Sequence, residues 1–186
     1  MSGLPIIIAL LCCSWHAHAL GHAIVINRCP FSVFLASVQA TSPFVLELPP
    51  GDTYVETYRP VENGTGVSIK ITSDICVGKT LTDVGRANAF ASSSKTQLEY
   101  SYVPSQHPTD LYYDLSDIND EFPRQFCAYG VALHTSASDC PGVLCPSSCD
   151  DVCPNVYNDP NDNHATKGCR SSVDIALALC AYIRNP

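Results

Sequence analysis

The chain has 186 residues, with 10 Lys and Arg against 18 Asp and Glu and a formal charge of −8. That surplus of negative charge repels phosphate backbones and anionic headgroups, which argues against nucleic acid and membrane partners. With 46% apolar residues, the chain has enough hydrophobic side chain for a buried core, and its length falls in the usual ~50–250-residue range of one domain.

The chain opens on an apolar run, Leu4 to Cys13, followed by Ala17-His18-Ala19, which supplies small residues at the −3 and −1 positions of a signal-peptidase site. The run is too short to cross a bilayer of ~30 Å. Residues 1–19 are therefore expected to be a removed secretory signal, leaving 20–186 as a single exported domain, extracellular or in a cell wall. Of the eleven cysteines, Cys12 and Cys13 leave with the leader. The nine that remain should be mostly disulfides in an oxidising compartment, with at least one thiol left over.

Short pieces rich in β-branched and aromatic residues then follow in order: Ala23–Asn27, Phe31–Val38, Phe44–Leu48, Thr53–Tyr58, Val67–Thr72, Gln97–Val103, Leu111–Leu115, Cys127–Leu133 and Val173–Cys180. Pro49-Pro50-Gly51 and Asn63-Gly64 punctuate them as turns, so the expected fold is mainly β, two sheets packed as a sandwich. In the last piece Val173, Ile175, Leu177 and Leu179 would form the buried face. Residues 78–95 lose the pattern and are expected to be a long loop with at most one helical turn. From about 136 to 170 the chain is dominated by Cys, Pro, Asp and Asn, a composition expected to give a disulfide-held lobe without a strand ladder. Asn63-Gly64-Thr65 is a glycosylation sequon in a turn.

The polar residues of this lobe do not make a recognisable metal site. Asp159, Asn161 and Asn163 imitate the start of an EF-hand loop, but the sixth and twelfth positions hold His164 and Arg170 where Gly and Glu are required. Cys145, Cys149 and Cys153 with His164 have spacings seen in zinc sites, yet export favours disulfides. Cleavage after Gly21 would leave His22 as a terminal chelator for copper, a weaker option. No metal and no other cofactor is expected. A Gly-x-Ser-x-Gly elbow is absent, and scattered His107 and His134 do not define a triad. The enzymatic option left is a carboxylate pair, Glu99 and Asp114, on strands that could be neighbours, as glycoside hydrolysis needs. Their ordinary alternative is to be solvent-facing acids alternating with apolar residues.

Three stretches point further. "AIVINRCPFSVFLAS" resembles the first strands of thaumatin-like proteins, and "DLYYDLSDIND" resembles their "FYDVS" segment. "CPNVYNDPND", followed by Cys169 and the strand "VDIALALC", is similar to their C-terminal end. The wording and shortness are most similar to the small fungal branch, the antigenic thaumatin-like or yeast-phase-specific antigen proteins. The resemblance implies a thaumatin-like β-sandwich with a disulfide-rich lobe and the pairings Cys29–Cys180, Cys140–Cys169 and Cys145–Cys153. Cys76–Cys127 is then an extra pair, and Cys149 the free thiol. It also implies a cleft between sandwich and lobe: the Arg of larger members falls on Lys70, the Glu on Glu99, and the three Asp on Asp114, Asn119 and Asp162. Lys70 keeps the charge without the planar fork of Arg, and Asn119 removes a carboxylate.

These features suggest a secreted protein that binds β-glucan or another cell-wall polysaccharide, or a host surface. A weak endo-β-1,3-glucanase with Glu99 as general acid and Asp114 as second carboxylate is the competing reading. A secreted antigen or effector acting on a host protein, through Cys149 and 78–95, is the third.

Overall fold

The computed structural model describes residues 19–40, 44–74, 83–119, 124–159 and 164–182. The expected leader lies outside the described residues except for Ala19, as do Cys76 and Asp162. Among the described residues eleven strands and one helix follow in chain order: β1 (His22–Asn27), β2 (Val33–Val38), β3 (Leu46–Leu48), β4 (Thr53–Thr57), β5 (Val67–Thr72), α1 (Asp83–Ser92), β6 (Lys95–Tyr102), β7 (Leu111–Asn119), β8 (Val131–Thr135), β9 (Val143–Cys145), β10 (Lys167–Cys169) and β11 (Ile175–Leu179). One sheet has the order β4-β1-β11-β8-β9 and the other β10-β7-β6-β5-β2-β3.

Strand alternation builds the core. Ala23 and Val25 from β1 and Ile175, Leu177 and Leu179 from β11 are fully buried, as are Ile69, Ile71, Leu98, Leu111 and Leu115 of the other sheet. All belong to one apolar cluster filling the space between the sheets. The first and last strands pair in parallel, Ala23 with Ile175 through Asn27 with Leu179. The Cys29–Cys180 bridge closes this pairing just beyond its end. Asn27 is fully buried and its amide is used on both sides. Its Nδ2 donates to Phe31 O at 3.0 Å and Leu48 O at 2.8 Å, and its Oδ1 accepts from the Cys29 N–H at 2.9 Å. One side chain thus ties the end of β1 to β3 in the opposite sheet.

Three expectations are corrected. Residues 78–95 contain a ten-residue helix, α1, where one turn was expected. Phe90 packs with Phe34, Ala36 and Val45 in a second small core, so packing on the sheet supplies what the weak sequence periodicity does not. The lobe does build ladders: β9 pairs with β8, Val131 opposite Cys145, and β10 with β7, Lys167 opposite Tyr113. Both are three-residue edge strands, below the length at which alternation is readable. Residues 124–130 form turns, with Cys127 N–H bonded to Arg124 O and Gly130 N–H to Phe126 O, so β8 begins at Val131. Gly130 takes φ 66°, and a Cβ there would lie 2.6 Å from Cys145 O, which reserves the position for glycine.

The cysteine pairing needs a fourth correction. The bridges are Cys29–Cys180, Cys140–Cys169, Cys145–Cys153 and Cys127–Cys149. The turn at 124–130 brings Cys127 to 4.8 Å from Cys149, Cα to Cα, so Cys127 does not pair with Cys76 and Cys149 is not a free thiol. Non-reducing peptide mapping is expected to recover Cys127 linked to Cys149; a Cys76–Cys127 peptide would overturn the pairing. By loop entropy the Cys29–Cys180 bridge, with a sequence separation of 151, stabilises by about 5 kcal/mol, against about 3 kcal/mol for Cys127–Cys149 at 22. Replacing each pair by serine should lower stability to denaturant in that order, and the reverse order would contradict it.

Candidate functional site

The outer face of the six-stranded sheet divides in two. Over β2 and β3 it is apolar and covered by α1, with the Arg86 guanidinium 5.8 Å from the Phe34 ring centroid. Over β5, β6 and β7 alternation places polar residues outward. Ser68 and Lys70 on β5 face Glu99 and Gln97 on β6, which face Asp114 and Ser116 on β7. Glu99 and Asp114 are directly opposed neighbours, a relation that puts Cβ atoms about 4.5–5.5 Å apart.

The two carboxylates line a groove of about 410 Å³ with Tyr112, Ser101, Gln39 and Thr166. Asp114 Oδ1 is buried and accepts no hydrogen bond. Burial, and then the Glu99 carboxylate beside it, push the Asp114 carboxyl up to about 7, against a smaller opposing pull from Lys167. The surroundings of Asp114 thus favour its protonated form well beyond the range of an ordinary aspartate.

The remaining expected cleft residues are placed differently. Lys70 donates through Nζ to Gln97 Oε1, which also accepts from Ser68 Oγ at 3.2 Å. Its ammonium faces Lys95, whose own pKa is lowered by burial first and by Lys70 second. The cation that acts on Asp114 is Lys167 from β10. Asn119 ends β7 opposite Lys95, on the far side of a β-bulge from Asp114. The expected contribution of Asp162 falls outside the described residues. Asn63 sits with Gly64 at positive φ in a two-residue turn closed by Glu62 and Thr65, and is exposed. Thr65 and Gly66, which follow it, line one end of the groove.

Sequence reasoning missed Tyr112, Ser101 and Thr166. For Tyr112 and Ser101 the signal was present, since each lies two residues from a carboxylate on its own strand. Thr166 adjoins a strand that could not be read. Also missed was a polar cluster between the sheets: Glu56 accepts from Tyr54 Oη at 2.7 Å and from Tyr100 Oη at 2.8 Å, with Arg59 donating to Ser37 Oγ. Burial and Glu56 together raise Tyr54 to about 12. Among the described residues no group of three or more His, Cys, Asp or Glu is arranged to hold a metal ion.

Comparison with known proteins matches residues 10–181 to the family model described as Bys1, Blastomyces yeast-phase-specific protein. The antigenic thaumatin-like protein of Arthroderma benhamiae is 34% identical over 163 residues, covering 87% of this chain and 72% of the relative. The secreted thaumatin-like protein calA of Emericella nidulans is 29% identical over 159 residues, covering 86% and 81%. Among solved structures, the protein elicitor MoHrip2 from Magnaporthe oryzae shares the fold, with a TM-score of 0.60 at 24% identity over 87% of this chain and 99% of that one. The two-sheet architecture, the four bridges and the extent of the match agree, and the chain belongs to the Bys1 family of fungal thaumatin-like proteins.

Proposed function

We propose that the protein is secreted and binds a polyhydroxylated cell-wall carbohydrate of the β-glucan class in the groove over β6 and β7. Four disulfides suit an oxidising route, and a relative carries the name secreted thaumatin-like protein. The observation that carries the reading is the opposed Glu99–Asp114 pair, with Asp114 Oδ1 buried and without a hydrogen-bond donor. Sugar hydroxyls donate and accept, so they satisfy both a carboxylate and a neighbour that is half protonated near pH 7. Tyr112 adds a flat apolar surface for the face of a sugar ring.

The raised pKa of Asp114 favours a second reading, slow hydrolysis of the bound glycan. Asp114 would protonate the leaving oxygen and Glu99, directly opposite it on β6, would act as the second carboxylate.

The oxidised protein incubated with insoluble β-1,3-glucan is expected to pellet with it, and both Glu99→Gln and Tyr112→Ala should weaken that binding by about tenfold. Pelleting unchanged in both variants would remove the groove from the reading. Reducing ends released by the wild type and not by Asp114→Asn would establish the hydrolytic reading.

The Asp114 shift also makes a stability prediction. The folded chain holds this proton to about pH 7, whereas the reference aspartate releases it near 3.8. Between those values the unfolded state binds fewer protons, so stability falls as pH rises through that window. Asp114→Asn removes the loss. Since 1 kcal/mol is worth about 2–4 °C in a chain of this size, its melting temperature should exceed the wild type's by at least about 3 °C at pH 8 and match it at pH 4. Equal differences at both pH values would contradict the assignment.

A further inference from the structure

The sequence holds a single Asn-x-Ser/Thr triplet, Asn63-Gly64-Thr65, and the fold sets it in a tight turn just before β5. Asn63 at φ 50° and Gly64 at φ 79° are the two left-handed residues of a type I′ hairpin, closed by hydrogen bonds of 2.9 and 3.1 Å between Glu62 and Thr65. All three residues of the triplet are exposed. No atom of the described residues, its chain neighbours aside, lies within 4 Å of the place a Gly64 Cβ would occupy, so the turn has open space around it. It is also fixed to the groove beside it. Gln39 Nε2 donates to Pro60 O at 2.8 Å and to Thr65 O at 3.3 Å, and the Val61 N–H donates to Tyr102 O at 2.9 Å. Gln39, Thr65 and Gly66 themselves line the groove that holds Glu99 and Asp114.

We propose that Asn63 carries an N-linked oligosaccharide, and that this glycan closes the Thr65–Gly66 end of the groove to a polymer while leaving it accessible to a short oligosaccharide. In the attachment step Asn63 Nδ2 forms a C–N bond to the anomeric carbon of a lipid-diphosphate-linked oligosaccharide. The anomeric C–O bond breaks, the diphosphate leaves with its electron pair, and Nδ2 gives up one proton. Two residues of chain span at most about 7 Å, so the glycan is rooted close to Thr65. Gln39 and Tyr102 hold that root in place. A glycan is bulky and hydrated, and what it excludes from there is a chain running out past Gly66. The closure rests on the carbohydrate reading above; the modification does not.

Secreted from a fungal host, the wild-type chain should lose the mass of one N-glycan on treatment with peptide N-glycosidase and return Asp at position 63. Asn63→Asp, whose side chain tolerates the left-handed turn, should be secreted without that mass. A wild-type mass unchanged by the enzyme would overturn the modification. Endoglycosidase trimming to one N-acetylglucosamine leaves the chain itself unaltered. In the presence of a soluble paramagnetic agent, the Gly66 and Ser101 amides should relax faster after trimming, and Thr135 in the other sheet should not change. Rates unchanged at all three would show a glycan standing clear of the groove and would overturn the closure. The trimmed form should bind β-1,3-glucan polymer about tenfold more tightly than the full glycoform, and a β-1,3-linked trisaccharide equally well. Equal polymer affinities would also overturn the closure. If neither form binds either sugar, the carbohydrate reading and the closure fall together, while the mass and relaxation results still decide the modification and its reach.

Discussion

The arrangement of the whole molecule depends on joining the two ends of the chain at one point. β1 and β11 pair in parallel at the middle of their sheet, a contact between segments some 150 residues apart that carries a large loop-closure cost. Two devices hold it. The Cys29–Cys180 bridge removes most of that entropy from the unfolded chain. Asn27, two positions before Cys29, donates from its amide to Leu48 O of β3 in the facing sheet and accepts from the Cys29 N–H with its oxygen. An apolar side chain there would leave the Leu48 and Phe31 carbonyls and the Cys29 N–H without these partners. The buried position is therefore polar because the backbone around it turns away from both ladders.

With the sheets fixed, the outer face of the six-stranded sheet is divided by α1. The helix spends its apolar residues on Phe34, Ala36 and Val45, and Lys95, whose Nζ reaches back to Ala91 O and Ser93 O, meets its C-terminal carbonyls with a cation. What α1 does not cover is the polar half over β5 to β7. The groove is thus defined as much by where the helix stops as by the carboxylates in it. Cys149, one of the two contacts expected of an effector surface, is bridged to Cys127.

The pattern of period two made nine of the strands readable, and the odd positions of the last strand are buried as alternation requires. Long-range relations were not readable from that pattern. Whether Glu99 meets Asp114 depends on the register of β6 on β7, which is set around a bulge near Lys95; sequence shows only that each strand carries an acid on its outward face. Lys167, the cation that acts on Asp114, was not readable either, because it comes from a three-residue edge strand too short to announce itself. Cys127 was misassigned because a turn, with Gly130 at positive φ, redirects the chain where apolar composition suggested a continuous strand.

β7 shows how one strand can serve two different environments. Asp114 and Asp117 are three residues apart, an odd separation that sends their side chains to opposite faces of the sheet. One lines the outer groove, and the other a recess beside the lobe. Each keeps a buried oxygen without a donor, and burial raises both carboxyls, but their companions differ. Asp114 has an acid next to it, so ionising it builds up like charge. Asp117 has Arg124 next to it, so its charge is already matched. The surroundings supplied by neighbouring strands and by the lobe, and not the residue type, separate the chemistry of the two positions.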